Sequence, residues 1–356
     1  MAGAKADYNK KKIEHKTKAD FDKDVKNGQF ERVYVFAGTQ EYLKREALDK
    51  LRALFLPAGL EALNETTLEN ASAQDIISTC ETFPVMCDHR ITVVRDWSPL
   101  LAKGKSDDRD VERMEAWLKD TPEGNILIFY MTVEPDGRKK MTQVLNPFPG
   151  YIVFNDISGP DLVKWCNNKL KPQGKKITGD AVDLMQHMAG SDLRRLETEL
   201  NKLASYVGES ANITTGDVQD IVSPSPEYTV FMILDKLLEG DLAGATAVLN
   251  AELKNGPNHV QLINRFENQL RLDMHIRLAQ KDGRNITEVG KMLGITNPYR
   301  TLAIAKQIRN IPAKALEERF QACVDADFDT KSGKIDGKAA LNALMFKLVM
   351  PKKRNF

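Results

Sequence analysis

The sequence predicts a mixed α/β plus α chain: a three-layer α/β domain, then a small helical domain, then an all-α bundle. Three observations predict it. Short β-branched runs alternate with longer amphipathic stretches up to about residue 155. The strand signal largely ends after Phe154. Finally, Ser223-Pro224-Ser225-Pro226 interrupts the helical remainder, because successive X-Pro steps disfavour helix. The resulting boundaries are a basic extension at 1–19, the α/β domain at 20–154, the small helical domain at 155–222 and the bundle at 223–356.

In chain order, a first helix is expected around Phe21 to Asn27, after a basic N-terminal stretch. Val33–Gly38, Thr66–Leu68, Ile91–Val94, Asn125–Met131 and Tyr151–Phe154 read as strands. Their near-continuous apolar character suits strands covered on both faces, as in a parallel sheet. Helices are expected between them at Glu41–Phe55, Ala73–Thr82, Val111–Lys119 and Lys139–Val144, with Ser72 and Asp75 as a cap for the second. Strand–helix alternation of this kind favours a doubly wound sheet. Asp161–Leu170 and Asp180–Met188 follow as helices, and Asp192–Val207 sets Leu193, Leu196, Leu200 and Leu203 on one stripe.

Beyond the Pro-rich linker everything reads as helix. Val230, Ile233, Leu234, Leu237 and Leu238 form one apolar face, and Leu262, Ile263, Phe266, Leu270 and Met274 another. Phe320, Val324 and Phe328 continue the series, and Leu341, Leu344, Met345, Leu348 and Val349 close it. Polar turns at Asn255–Pro257, Asp282–Asn285 and Ser332–Gly333 separate them.

At 356 residues the chain is too long for a single core. With 51 basic against 50 acidic residues the net charge is +1, so there is no global basic field of the kind that coats nucleic acid. Cys80, Cys87, Cys166 and Cys323 form no C-x-x-C pair and have no zinc-ligand spacing with the five histidines. Buried single thiols in a reducing cytoplasm are the expectation. No apolar run approaches the roughly 18 residues of a membrane helix, so no membrane partner is expected. The stretch from Met1 to Lys26 has no apolar core of a secretory signal. It either touches DNA or is merely solvated, and the closing Lys352-Lys353-Arg354 is a short basic tail to which no role is assigned.

An α/β domain followed by a small helical domain suggests a nucleotide-binding machine, and the loop after the first long strand tests it. A phosphate loop needs G-x-x-x-x-G-K-[ST], so that backbone N–H groups, a Lys and a hydroxyl surround phosphates and Mg²⁺. Here Gly38-Thr39-Gln40-Glu41-Tyr42-Leu43-Lys44-Arg45 has one glycine, no G-K-[ST], and Glu41 where phosphate charge should go. After Ile91–Val94 comes a single acid, Asp96, without the adjacent Glu that activates water. It is expected to cap the following turn. Asp88, His89 and Arg90 read as a solvated turn. Asp325, Asp327, Asp329 and Asp336 occupy positions 1, 3, 5 and 12 of a calcium loop, but Thr330 replaces the essential Gly and Asp336 is too short for the bidentate Glu. A helix ending near Thr330 is expected there instead.

Several stretches from Phe21 to Pro351 resemble one family, the delta subunits of bacterial DNA polymerase III, catalytically silent members of the AAA+ clamp-loader group. Val33-Tyr34-Val35-Phe36-Ala37-Gly38 with Glu41-Tyr42-Leu43 is similar to the family's degenerate nucleotide loop, and Asp192 to Leu203 to its helical signature, related to the sensor-2 helix of active AAA+ proteins. Ile213-Thr214 with Asp217-Val218, Phe231 to Leu238, Gly240-Asp241 and Ala245 resemble the start of its collar, and Lys331-Ser332-Gly333 with Ala339 to Leu348 its closing helix. The resemblance implies an AAA+-like domain, a helical lid and an oligomerising collar. It implies no cofactor, no catalytic residue and no metal. The implied partners are the sliding clamp (beta), the tau/gamma and delta prime subunits through the collar, and primer-template DNA within the assembled complex. No Ser-Arg-Cys arginine-finger motif is present.

In that family a hydrophobic pair before the third strand wedges into a pocket on the clamp. The matching positions are Val85 and Met86, with Pro84 ending the preceding helix and presenting them. Many relatives carry Leu or Phe there, so Val-Met is a departure. Phe83 is expected in the core. Arg194, with no phosphate to meet, is expected in a surface or inter-domain ion pair. The alternative function is an active AAA+ ATPase with an atypical phosphate loop.

Overall fold

The computed structural model describes residues 14–350, apart from 106, 255 and 296. The basic stretch before residue 14, the Lys352-Lys353-Arg354 tail and Asn255 of the first polar turn lie outside the described residues. The chain divides into two compact units, one up to Asp156 and one from Ile157, so the 155–222 and 223–356 segments fall largely within one unit.

The first unit is a six-stranded, wholly parallel sheet. In chain order it contains β1 (Lys16–Thr17), α1 (Lys18–Lys26), β2 (Val33–Ala37), α2 (Glu41–Phe55), α3 (Glu61–Asn64), β3 (Glu65–Glu69), α4 (Ala73–Cys80), β4 (Arg90–Arg95), α5 (Asp108–Trp117), β5 (Asn125–Tyr130), α6 (Lys140–Leu145) and β6 (Tyr151–Val153). The strands lie in the order β1-β6-β2-β5-β4-β3. Central β2 and β5 are buried at every position, which is why they read as continuous apolar runs. Alternation along β2 sorts the two faces. Val33, Val35 and Ala37 join Ile76 of α4, Val111 of α5 and Met141 of α6 in one core. On the opposite face Tyr34 and Phe36 meet Phe21 of α1 and Phe154 edge to face. Ion pairs from Lys18 to Glu46 (3.4 Å) and Lys50 to Asp22 (2.8 Å) tie α2 to α1.

Residues 16–19, assigned from sequence to the extension, belong to the folded domain. Lys16 and Thr17 pair with Ile152 and Val153, and Thr17 then caps α1 in a reciprocal box with Asp20. Two polar residues give no strand periodicity, so β1 was invisible locally. Ser72 and Asp75 form the box expected of them at the start of α4.

The second unit begins with α7 (Pro160–Leu170), β7 (Lys176–Ile177), α8 (Gly179–Ala189), α9 (Leu193–Tyr206), β8 (Asn212–Ile213) and α10 (Thr215–Ile221), β7 and β8 pairing in parallel. It continues with α11 (Pro226–Leu238), α12 (Leu242–Lys254), α13 (His259–Lys281), α14 (Ile286–Met292), α15 (Pro298–Gln307), α16 (Ala313–Lys331) and α17 (Gly337–Leu348). Residues 222–225 are non-helical, as the Pro-rich segment predicts; Ser225 caps α11 and Pro226 takes its first turn, where a missing N–H does no harm. Ile233, Leu262, Phe266, Leu316, Cys323 and Leu344 share one core. The buried face of α16 is not the expected Phe320–Val324–Phe328 stripe. It runs through Leu316, Arg319 and Cys323, leaving Phe328 exposed with Lys334 over its ring. The shift satisfies the end of α17: Arg319 donates to the Leu348 and Val349 carbonyls at 2.8 and 3.2 Å. Among the described residues no helix is long and apolar enough to cross a membrane.

One buried charge makes a testable feature of this unit. Asp273 of α13 is wholly buried, and that burial pushes its carboxyl up to about 7, against a hydrogen bond from Gln269 and the charge of Arg300. The ordinary carboxyl titrates near 3.8. Between those values the folded chain keeps a proton that the unfolded chain has lost, so stability falls as pH rises through the window. Asp273→Asn removes that dependence. Its melting temperature relative to the parent chain should therefore be higher at about pH 8 than at about pH 4. Thermal unfolding at both values checks it, and an equal difference at both would contradict the burial assignment.

Candidate functional site

The turn between α4 and β4 carries the sequence-predicted apolar pair. Helix α4 ends at Cys80, earlier than the expected Thr82 and well before Pro84. The stop is made by polar partners rather than by proline: Thr82 Oγ1 donates back to the Ser78 carbonyl at 3.0 Å, and Asn125 Nδ2 donates to the final carbonyl at Cys80. Pro84 sits half-buried in the turn that follows, so its part is to shape the turn and not to end the helix.

Met86 is 83% exposed and Val85 42%, standing just before the start of β4. Phe83, expected in the core, is the most exposed of the three at 87%. The sheet face beneath is already filled by α4 through Ala73, Ile76, Ile77 and Cys80, which leaves Phe83 no place there. The three side chains and exposed Leu63 give this end of the domain an apolar surface.

Although its side chains face solvent, the backbone of this turn is firmly held. Asn64, fully buried at the end of α3, accepts the Val85 N–H at 2.6 Å and donates to the Val85 carbonyl at 2.9 Å and to the Leu60 carbonyl at 3.1 Å. Arg90 reaches the Leu63 carbonyl and the Thr66 hydroxyl, and His89 packs on Phe55 with ring centres 4.7 Å apart, rather than lying in a solvated turn. Met86 has φ +59, a left-handed conformation that a long side chain rarely adopts. Asn64 had no sequence signal: its partner is 21 residues away, and an Asn before a strand reads as an ordinary turn residue.

A second locus lies at the start of α2. Only Gly38, Thr39 and Gln40 separate β2 from this helix. Gly38, at φ +97, lies so close to Phe154 that an added Cβ would sit 2.3 Å from its carbonyl oxygen. Glu41 opens α2 and pairs with Lys44 at 3.0 Å, while Tyr130 donates its hydroxyl to the Glu41 carboxylate. Lys44 is fully buried and also donates to the Met131 carbonyl. Desolvation works against ionised Glu41, but the hydrogen bonds from Tyr130 and Lys44 outweigh it and hold its pKa below the usual carboxylate range. The positive charge and the helix N-terminus therefore face a carboxylate built into the chain.

Asp96 accepts from Thr132 N–H (2.7 Å) and hydroxyl (2.6 Å) beyond β5, rather than capping the turn after it. Arg194 is exposed and makes no ion pair among the described residues, whereas Arg195 donates to the Ser223 and Pro224 carbonyls. Helix α16 runs through the first seven positions of the calcium-like loop. Asp327 pairs with Lys331, Asp329 with Lys334, and Asp336 caps α17. No group of three or more metal-ligating side chains occurs among the described residues.

The family described as DNA polymerase III, delta subunit, matches residues 34–148, and DNA polymerase III delta subunit, C-terminal domain, matches residues 227–348. DNA polymerase III subunit delta of Bacillus subtilis (strain 168) is 21% identical over 338 residues, covering 94% of this chain and 97% of that protein. The probable DNA polymerase III subunit delta of Aquifex aeolicus (strain VF5) is 24% identical over 277 residues, 76% of this chain and 77% of that one. Among solved structures, the Bacillus subtilis DNA clamp loader delta protein superposes with a TM-score of 0.67 at 21% identity, over 93% of this chain and 99% of that one.

Proposed function

Because the chain belongs to the DNA polymerase III delta subunit family, we propose that it is the arm of the clamp loader that grips and opens the sliding clamp. The observation that carries this reading is the turn of Pro84, Val85 and Met86: apolar side chains in solvent on a backbone fixed by buried hydrogen bonds. A few apolar anchors entering a pocket supply most of the affinity in such contacts, and the pliable thioether of Met86 suits an adaptable fit. Phe83 enlarges the same surface. The bundle from residue 223 would hold the tau/gamma and delta prime subunits, and primer-template DNA would be met only within the assembled complex, in the cytoplasm. The direct test is binding of the full chain to immobilised sliding clamp. Saturable binding supports the reading, and its absence removes it.

Nucleotide hydrolysis forms no part of this proposal. Glu41 occupies the electropositive helix start, and Lys44 is committed to Glu41 and the Met131 carbonyl. A fluorescent ATP analogue titrated to about millimolar concentration should give no saturable signal. Saturable binding would favour an active ATPase with an unusual phosphate loop.

A further inference from the structure

We propose that Asn64 is the positioning residue that holds the Val85–Met86 turn in its binding-ready conformation, an inference that rests on the clamp-gripping reading above. Three observations converge on it. Asn64 is fully buried, yet all of its side-chain bonds go to main chain, two of them to the N–H and carbonyl of the same residue, Val85. The next residue, Met86, is held at φ +59, a conformation that persists only where surroundings over-determine it. Finally, Val85 and Met86 project into solvent, so little packing of their own sets the backbone.

Fixing both polar atoms of Val85 fixes the peptide plane on either side of its α-carbon, and therefore the direction from which Met86 departs. Released from Asn64, the Met86 backbone would relax toward negative φ and swing its side chain away from Val85. The free chain would then present the binding conformation only part of the time. The apparent affinity would fall by that fraction, and the loss would appear in association rather than dissociation.

The test uses the full chain with Asn64→Ala and Asn64→Asp, read by hydrogen exchange at the Val85 amide and by rate constants on immobilised sliding clamp. In Asn64→Ala the Val85 amide should exchange at least about tenfold faster, and association should slow on the order of tenfold with dissociation nearly unchanged. In Asn64→Asp the introduced carboxyl, buried and so raised in pKa, carries a donor and an acceptor only when protonated. Association by Asn64→Asp should be slow at about pH 8 and recover toward the parent rate at about pH 5, while Asn64→Ala stays slow at both. Should Asn64→Ala fold poorly by circular dichroism, the pH series on Asn64→Asp decides alone. Parent-like association by Asn64→Ala, or no recovery by Asn64→Asp, overturns the positioning role. If Val85→Asp with Met86→Asp abolishes binding in the same assay, the clamp reading survives that result. If the double variant binds normally, the contact does not run through Val85 and Met86, and the positioning role of Asn64 falls with that assignment while clamp binding itself stands.

Discussion

Replacing Val85 and Met86 together with aspartate is expected to weaken capture on the sliding clamp by at least about a hundredfold, with the melting temperature almost unmoved. The size follows from the physics of an apolar anchor. Each substitution removes apolar area that would be desolvated in the contact and sets a carboxylate against an apolar pocket, where an unpaired charge is strongly disfavoured. Two central anchors at roughly 2 kcal/mol each exceed a hundredfold, since about 1.4 kcal/mol is a factor of ten. Stability should hold because both side chains already lie in solvent and Asn64 grips only the backbone at Val85. Aspartate also tolerates the left-handed conformation at 86 better than methionine does. Binding on immobilised clamp together with a thermal melt separates the outcomes. Full binding at unchanged stability would move the contact elsewhere.

Gly38→Ala is expected to destabilise the first unit severely. The added methyl would lie 2.3 Å from the Phe154 carbonyl oxygen and 2.8 Å from its nitrogen, both backbone atoms with no freedom to swing aside. Those same atoms bond the Gln40 N–H and the Ala37 carbonyl, so relief would separate β6 from β2 beside the aromatic cluster. A loss of more than about 3 kcal/mol follows, which for a unit of this size lowers its melting temperature on the order of ten degrees. Gly28→Ala is the control. It shares a positive φ of +70 but has nothing within 4 Å of the new methyl, so it should lose only about 1 kcal/mol. Equal losses at the two positions would mean that backbone conformation, not the contact with Phe154, sets the effect.

The parts of this fold legible from sequence are those whose signal is local. β2 and β5 announce themselves because both faces of each strand are covered, and α2 begins at Glu41 and ends at Phe55 as its periodicity predicts. What escaped depends on distant partners. β1 exists because β6 lies beside it, and two polar residues cannot show that alone. The rotation of α16 answers to carbonyls at the end of α17. At the candidate site the solvent exposure of Val85 and Met86 was anticipated by their resemblance to a known pattern. Phe83 was misplaced because an aromatic beside a helix end looks like core unless one knows that the sheet beneath is full. Asn64 was illegible, since its role is defined by a turn met 21 residues later.

The ion pair at the start of α2 has a consequence for motion. A bound cofactor can act as a switch because it leaves: occupancy follows its concentration, and the surrounding groups have two states to move between. The Glu41 carboxylate is tethered to the helix it neutralises, so its effective concentration beside Lys44 is fixed by covalent geometry and never falls. Its lowered pKa extends that occupancy into mild acid. If the chain turns over no nucleotide, as proposed, the Glu41–Lys44 pair stays in place throughout and this corner acts as a fixed brace rather than a moving part.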